Sequence, residues 1–191
     1  MKRSIKYALF FFLVTMALNS QAALQVVTTT EDLAAITRAI GGAAVGVVSL
    51  TPGTRDPHFA EAKPSMIRKV HRADLLILVG ADMEIGWLPP LLQSARNGRV
   101  QSGNTGYLDL SLVVPLLGQM AGPISRAMGD VHANGNPHYW LDPRNGALMA
   151  RAIADRLSEL DPKQRDNYQS RLVVFEETLE RKLGQWQAAL T

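Results

Sequence analysis

The sequence predicts an α/β fold: a parallel sheet flanked by helices, followed by one long C-terminal helix. Three observations predict it. Strand-length runs rich in β-branched and apolar residues alternate with segments of helical spacing, in the order β-α-β-α-β-α over residues 24–95. The run Leu75 to Val79 is continuously apolar, which suits a strand covered on both faces. From Pro162 onward, Tyr168, Leu172, Phe175, Leu179, Leu183 and Trp186 recur at helical spacing.

Each element has a local reason. Leu24 to Thr29 is rich in β-branched residues and reads as the first strand. Thr30 caps a helix over Glu31 to Ile40, whose first turn carries acids, and Gly41-Gly42 ends it. Val45 to Leu50 is the second strand, and Thr51-Pro52-Gly53 opens a loop reaching Ala62. Pro64 starts a helix that continues to about Arg72. Leu75 to Val79 is the third strand. Helical spacing returns from Ile85 to Ala95, with Pro89-Pro90 blurring its start. Residues 98–135 are the least regular, with a short strand at Tyr107-Leu108 and an ordered, irregular loop from Met120 to Asn136. Asp142-Pro143 reads as a cap with Pro at the first helical position. The helix runs to about Leu160, with Ala147, Ala150, Ile153, Leu157 and Leu160 on one stripe. Asp161-Pro162 repeats that start.

The first residues carry a different message. Lys2, Arg3 and Lys6 precede a short apolar run from Ala8 to Leu18, and Ser20-Gln21-Ala22 offers small residues for a cut before Ala23. This is a secretory signal pattern over residues 1–22. A membrane span needs about 20 apolar residues, so a retained anchor is the lesser reading. The sequence has 0 Cys, which excludes disulfides and thiol-linked lipid, and the expected location is the periplasm. The net charge of +3 belongs to the signal: without Lys2, Arg3 and Lys6 the 20 basic residues fall to 17, against 17 acidic ones. No basic excess remains to suggest a nucleic-acid partner.

Four His residues are the candidate chemistry. Asp56-Pro57-His58 and Asn136-Pro137-His138 each place a His directly after Pro. Proline fixes its own φ and extends the residue before it, so a side chain on such a loop loses less entropy on capture. Imidazole is a favoured ligand of Zn²⁺ and its neighbours. His58 follows the second strand, and ligands of doubly wound sheets bind beyond the carboxyl ends of strands. Metal binding and loop punctuation both remain open on these residues alone. His71, in Lys69-Val70-His71-Arg72, reads as a helix-surface residue. His132, six residues before His138, reads as an auxiliary ligand or a solvated side chain.

Taken together, three stretches resemble a known family. Thr54-Arg55-Asp56-Pro57-His58, followed by Lys63-Pro64-Ser65, resembles the first ligand loop of the zinc/manganese periplasmic binding proteins, the metal receptors of ABC importers. Ala73 to Gly80 with Met83-Glu84-Ile85-Gly86-Trp87-Leu88 resembles that family's next strand and helix, and Asn136 to Pro143 its second ligand segment. The resemblance implies two α/β lobes joined by a long helix, with metal clamped between them and no enzymatic activity. It implies His58 and His138 as ligands from the first lobe, with another His and a carboxylate from the second. It implies Zn²⁺, ahead of Mn²⁺, as transported ligand and an inner-membrane ABC permease as partner. Residues 23–160 match the first lobe and 161–191 the connecting helix, so a second lobe is expected to be missing and the site halved. A complete receptor would be a monomer; the uncovered stripe of the last helix would favour self-association of the fragment. Only His132 stands where many zinc-type members carry a His-rich loop. Asp56 and Asp142 are candidates to hold the two rings.

Two rival classes compete with the receptor reading. A metal-dependent hydrolase needs a general base, and Glu61 alone is placed to be one. An adhesion or interaction protein would reuse the fold without transport.

Overall fold

The computed structural model describes residues 23–118, 132 and 134–190. The expected signal segment and most of the loop from Met120 to Asn136 lie outside the described residues.

Four parallel strands form one sheet in the order β2-β1-β3-β4: β1 (Leu24–Thr28), β2 (Val45–Ser49), β3 (Leu75–Leu78) and β4 (Tyr107–Asp109). The register pairs Val26 with Val47 and with Leu75, and Ile77 with Leu108. Side chains alternate between two cores. Val26, Leu75, Ile77 and Leu108 meet Leu33 and Ile40 of α1 (Glu31–Gly41), Ile153 and Leu157 of α4 (Asn145–Leu160), and Tyr168 and Leu172 of α5 (Arg165–Leu190). Val27, Leu76 and Leu78 meet Met66 and Val70 of α2 (Pro64–His71) and Leu88, Leu91 and Leu92 of α3 (Leu88–Ala95). The continuous apolar run at Leu75–Leu78 is thereby explained, since every residue of it is buried on one face or the other. Each such side chain contributes about 1.5–3 kcal/mol by leaving water.

The caps follow the expected chemistry at α1. The Thr30 side chain accepts from the Leu33 N–H, and Gly42 ends the helix at φ +55°, a conformation that suits glycine. Two helix starts differ from expectation. α3 begins at Leu88, not Ile85, because Gly80, Ala81 and Asp82 all adopt positive φ and turn the chain first. Ile85 is left exposed, and Pro89 and Pro90 fall in the first turn, where a missing N–H costs nothing. α4 begins at Asn145, not at Pro143. The Asp142 carboxylate accepts from the Arg144 N–H at 2.9 Å and forms a turn of its own, and the helix follows.

The apolar stripes shift accordingly. On α4, Met149 and Ala154 are buried alongside Ala150, Ile153 and Leu157, while Ala147 and Leu160 are only partly covered. A 3₁₀ turn at Pro162–Gln164 precedes α5. Only Tyr168 and Leu172 of the predicted α5 stripe are buried; Phe175, Leu179 and Leu183 are half-covered and Trp186 is exposed. No helix among the described residues is long and apolar enough to cross a membrane.

Candidate functional site

Because all four strands are parallel, their C-terminal ends share one pole of the lobe. The loop after β2 and the segment before α4 both reach this pole, and each carries the same local device. In Asp56-Pro57-His58 the Asp56 Oδ1 accepts from the His58 backbone N–H at 2.9 Å. In Asn136-Pro137-His138 the Asn136 Oδ1 accepts from the His138 N–H, also at 2.9 Å. The side chain before each proline closes a short turn, and the proline stiffens it. Both His residues therefore leave the backbone from a pre-formed bend.

These bends aim the rings at each other. The His58 and His138 ring centroids are 5.2 Å apart, and His58 and His132 are likewise 5.2 Å apart. His58 Nδ1 lies 2.7 Å from Asp56 Oδ1. A carboxylate only accepts, so Nδ1 bears the proton and Nε2 of the neutral ring keeps its lone pair. That Nε2 lies 3.2 Å from His132 Nε2. Asp56 thus sets both the tautomer and the direction of the lone pair. The hydrogen bonds from the His58 N–H and ring hold the Asp56 carboxyl below its usual range, so it remains a carboxylate in mild acid.

Behind the rings sits a buried framework. The Trp87 indole Nε1 donates to the Pro57 carbonyl at 2.8 Å. The Tyr139 hydroxyl donates to the Val79 carbonyl at 2.6 Å. The Glu84 carboxylate accepts from the Val79 N–H at 2.9 Å and the Gly80 N–H at 3.0 Å. Burial pushes the Glu84 carboxyl upward despite these donors. Beyond it opens a cleft of about 650 Å³, lined in part by Glu84, Asp109, Ser111 and Asn134.

The sequence-predicted residues sort clearly. His58, His138 and His132 come together. His71 ends α2 at the opposite pole, exposed, with Nδ1 2.8 Å from the Ala95 carbonyl oxygen. Asp56 holds a ring as expected, whereas Asp142 pairs with the Arg144 side chain, which lowers its carboxyl pKa. Glu61 is exposed and lines a separate cavity with Arg55 and Lys63, away from the rings. Sequence reasoning did not single out Trp87, Tyr139 and Glu84 as site residues; Tyr139 adjoins His138, whereas Glu84 and Trp87 lie far from both ligand motifs, in the stretch after the third strand. Among the described residues, no group of three or more His, Cys, Asp or Glu side chains is arranged to enclose a metal ion. The imidazoles meet, and the rest of a coordination shell would have to come from elsewhere.

The family model for the periplasmic zinc-uptake complex component A, ZnuA, matches residues 26–191. This chain belongs to that family. Among ZnuA-family relatives, it is 34% identical over 159 residues to the metal ABC transporter substrate-binding lipoprotein FimA of Streptococcus parasanguinis, covering 82% of this chain and 48% of that protein. It is 33% identical over 168 residues to the manganese ABC transporter substrate-binding lipoprotein PsaA of Streptococcus pneumoniae, covering 86% and 51%. Among solved structures, a zinc-bound deletion mutant of ZnuA superposes with a TM-score of 0.69 at 31% identity, covering 85% of this chain and 58% of that one. A crystal structure of ZnuA gives 0.63 at 30%, covering 83% and 55%. The chain therefore spans about half the length of the ZnuA-family relatives it matches.

Proposed function

We propose that this chain is the first lobe of an exported metal receptor that serves an ABC importer, with His58 and His138 as its metal ligands and His132 as an auxiliary one. It is a capture protein and not an enzyme, as its family match and its substrate-binding relatives support, and Glu61 lines a separate cavity. The lobe comprises residues 23–160, the connecting helix residues 161–191, and residues 1–22 direct export to the periplasm. The observation that carries this reading is the meeting of His58 and His138, 80 residues apart in sequence, with centroids 5.2 Å apart.

Zn²⁺ is the proposed ligand ahead of Mn²⁺. The donors on this lobe are imidazole nitrogens, which suit zinc, whereas manganese favours oxygen. The rings displace water from the ion, and the loaded receptor docks on a membrane permease. The half-site is open, and a second lobe supplies the remaining ligands. Zinc binding by these two rings alone is weaker than binding by a full ligand set, and it falls further in acid, since a protonated ring cannot ligate.

Calorimetric titration of the full chain with Zn²⁺ and Mn²⁺ tests this. Weak one-site zinc binding is expected, lost in the double variant His58→Ala, His138→Ala. Zinc binding unaltered by that double substitution would sink the reading.

A further inference from the structure

Each candidate ligand has a neighbour tied to one and the same segment. Pro57, just before His58, accepts the Trp87 indole N–H at 2.8 Å. Tyr139, just after His138, donates its hydroxyl to the Val79 carbonyl at 2.6 Å. Trp87 and Val79 are the two ends of a short stretch bound to itself. The Glu84 carboxylate takes the Val79 and Gly80 N–H groups, while its own carbonyl takes those of Trp87 at 3.1 Å and Leu88 at 2.9 Å. Met83 N–H closes the turn on the Gly80 carbonyl at 3.0 Å. Met83, Glu84 and Trp87 are all buried, so the stretch is set in the core instead of riding on the surface.

We propose that residues 79–87 form a rigid bracket, and that Trp87 and Tyr139 are positioning residues that set the distance between the His58 and His138 rings. The two ligand loops share no strand and are separated by 80 residues, so each could drift independently without a common support. The bracket supplies one. It holds the loop of His58 through the indole N–H and the segment of His138 through the phenol. A metal ion tolerates only a narrow range of ligand separations, so freeing either contact costs affinity through lost preorganisation. Neither side chain touches the ion. Their influence passes through one backbone atom each.

This rests on the reading of His58 and His138 as ligands, and the test separates the two ideas. Tyr139→Phe removes only the hydroxyl; Trp87→Phe removes the indole N–H and some ring volume. In the full chain, zinc affinity by calorimetry is expected to fall about tenfold in Tyr139→Phe, the lower end of what outer partners of metal ligands carry. The visible spectrum of bound Co²⁺ should change with it, because the ring separation reports on coordination geometry. A purely structural role would lower the unfolding temperature of the metal-free protein and leave both readouts alone at a temperature where each variant is folded. If Trp87→Phe fails to fold, Tyr139→Phe decides by itself. Affinity within twofold and an unchanged Co²⁺ spectrum in Tyr139→Phe would overturn the bracket. Should His58→Ala, His138→Ala abolish binding in that same experiment, the ligand assignment stands and only the bracket falls. Should the double variant bind normally, both fall.

Discussion

Glu84→Ala is expected to destabilise the lobe by about 2 kcal/mol at neutral pH. The wild-type carboxylate is 3% exposed and takes two backbone N–H groups at the turn after β3. An orphaned buried donor costs about 1–3 kcal/mol. Gly80 N–H would bear that cost in full. Val79 N–H keeps the Thr29 hydroxyl oxygen at 3.4 Å, so it bears only part. Against this, alanine removes a carboxylate that is poorly solvated, which offsets some of the loss. The pH dependence carries more information than the size. Burial raises the Glu84 carboxyl above its ordinary value near 4.5, so the folded state binds that proton more tightly than the unfolded chain does. Its contribution is therefore fully present below the unfolded value and declines as pH rises through the folded one. Neither Glu84→Ala nor Glu84→Gln titrates there. Their deficit against wild type should be largest in mild acid and shrink toward alkaline pH. Urea unfolding followed by circular dichroism from pH 4 to pH 8 measures it. A deficit below about 0.5 kcal/mol throughout would refute the orphaned-donor argument. A deficit that grows with pH would refute the burial argument.

Two further outcomes follow from the same geometry. Gly80→Ala should cost more than about 2 kcal/mol in thermal unfolding, because φ is +75° there and the added Cβ would run into the Asp109 carboxylate. Asp56→Ala should lower zinc affinity about tenfold, by releasing the His58 ring from its tautomer and direction, while leaving stability within about 0.5 kcal/mol because the carboxylate is largely exposed. Calorimetry and thermal melting of one preparation separate these two effects. An unchanged affinity would show that the ring is oriented by its neighbours alone.

Much of the fold was legible because local chemistry and global packing agree. Thr30 and Gly42 bound α1, Pro64 opens α2, and Leu75–Leu78 announces a strand covered twice. The misread boundaries each have a local cause. At Ala81 and Asp82 the backbone is left-handed at non-glycine residues, a conformation no periodicity reports, and it delays α3 to Leu88. At Asp142 the carboxylate makes a turn where a cap was expected, and it delays α4 to Asn145. On α5 the apolar spacing reads as one continuous stripe, yet burial stops after Leu172, because spacing describes a face and not what lies against it.

The sequence by itself determined which side chains leave the backbone ready to bind. Asx-Pro-His is a local instruction: proline restricts φ, the preceding side chain closes on the His N–H, and both occurrences adopt the same bend. Tertiary structure alone decided that the two bends face each other. Strand order brings the carboxyl ends of β1, β2 and β3 to one pole, and Trp87 and Tyr139 tie the two loops to the segment after β3. Contacts between residues 80 apart depend on which elements pack together, a choice made by the summed burial of two cores, and no short motif encodes that sum.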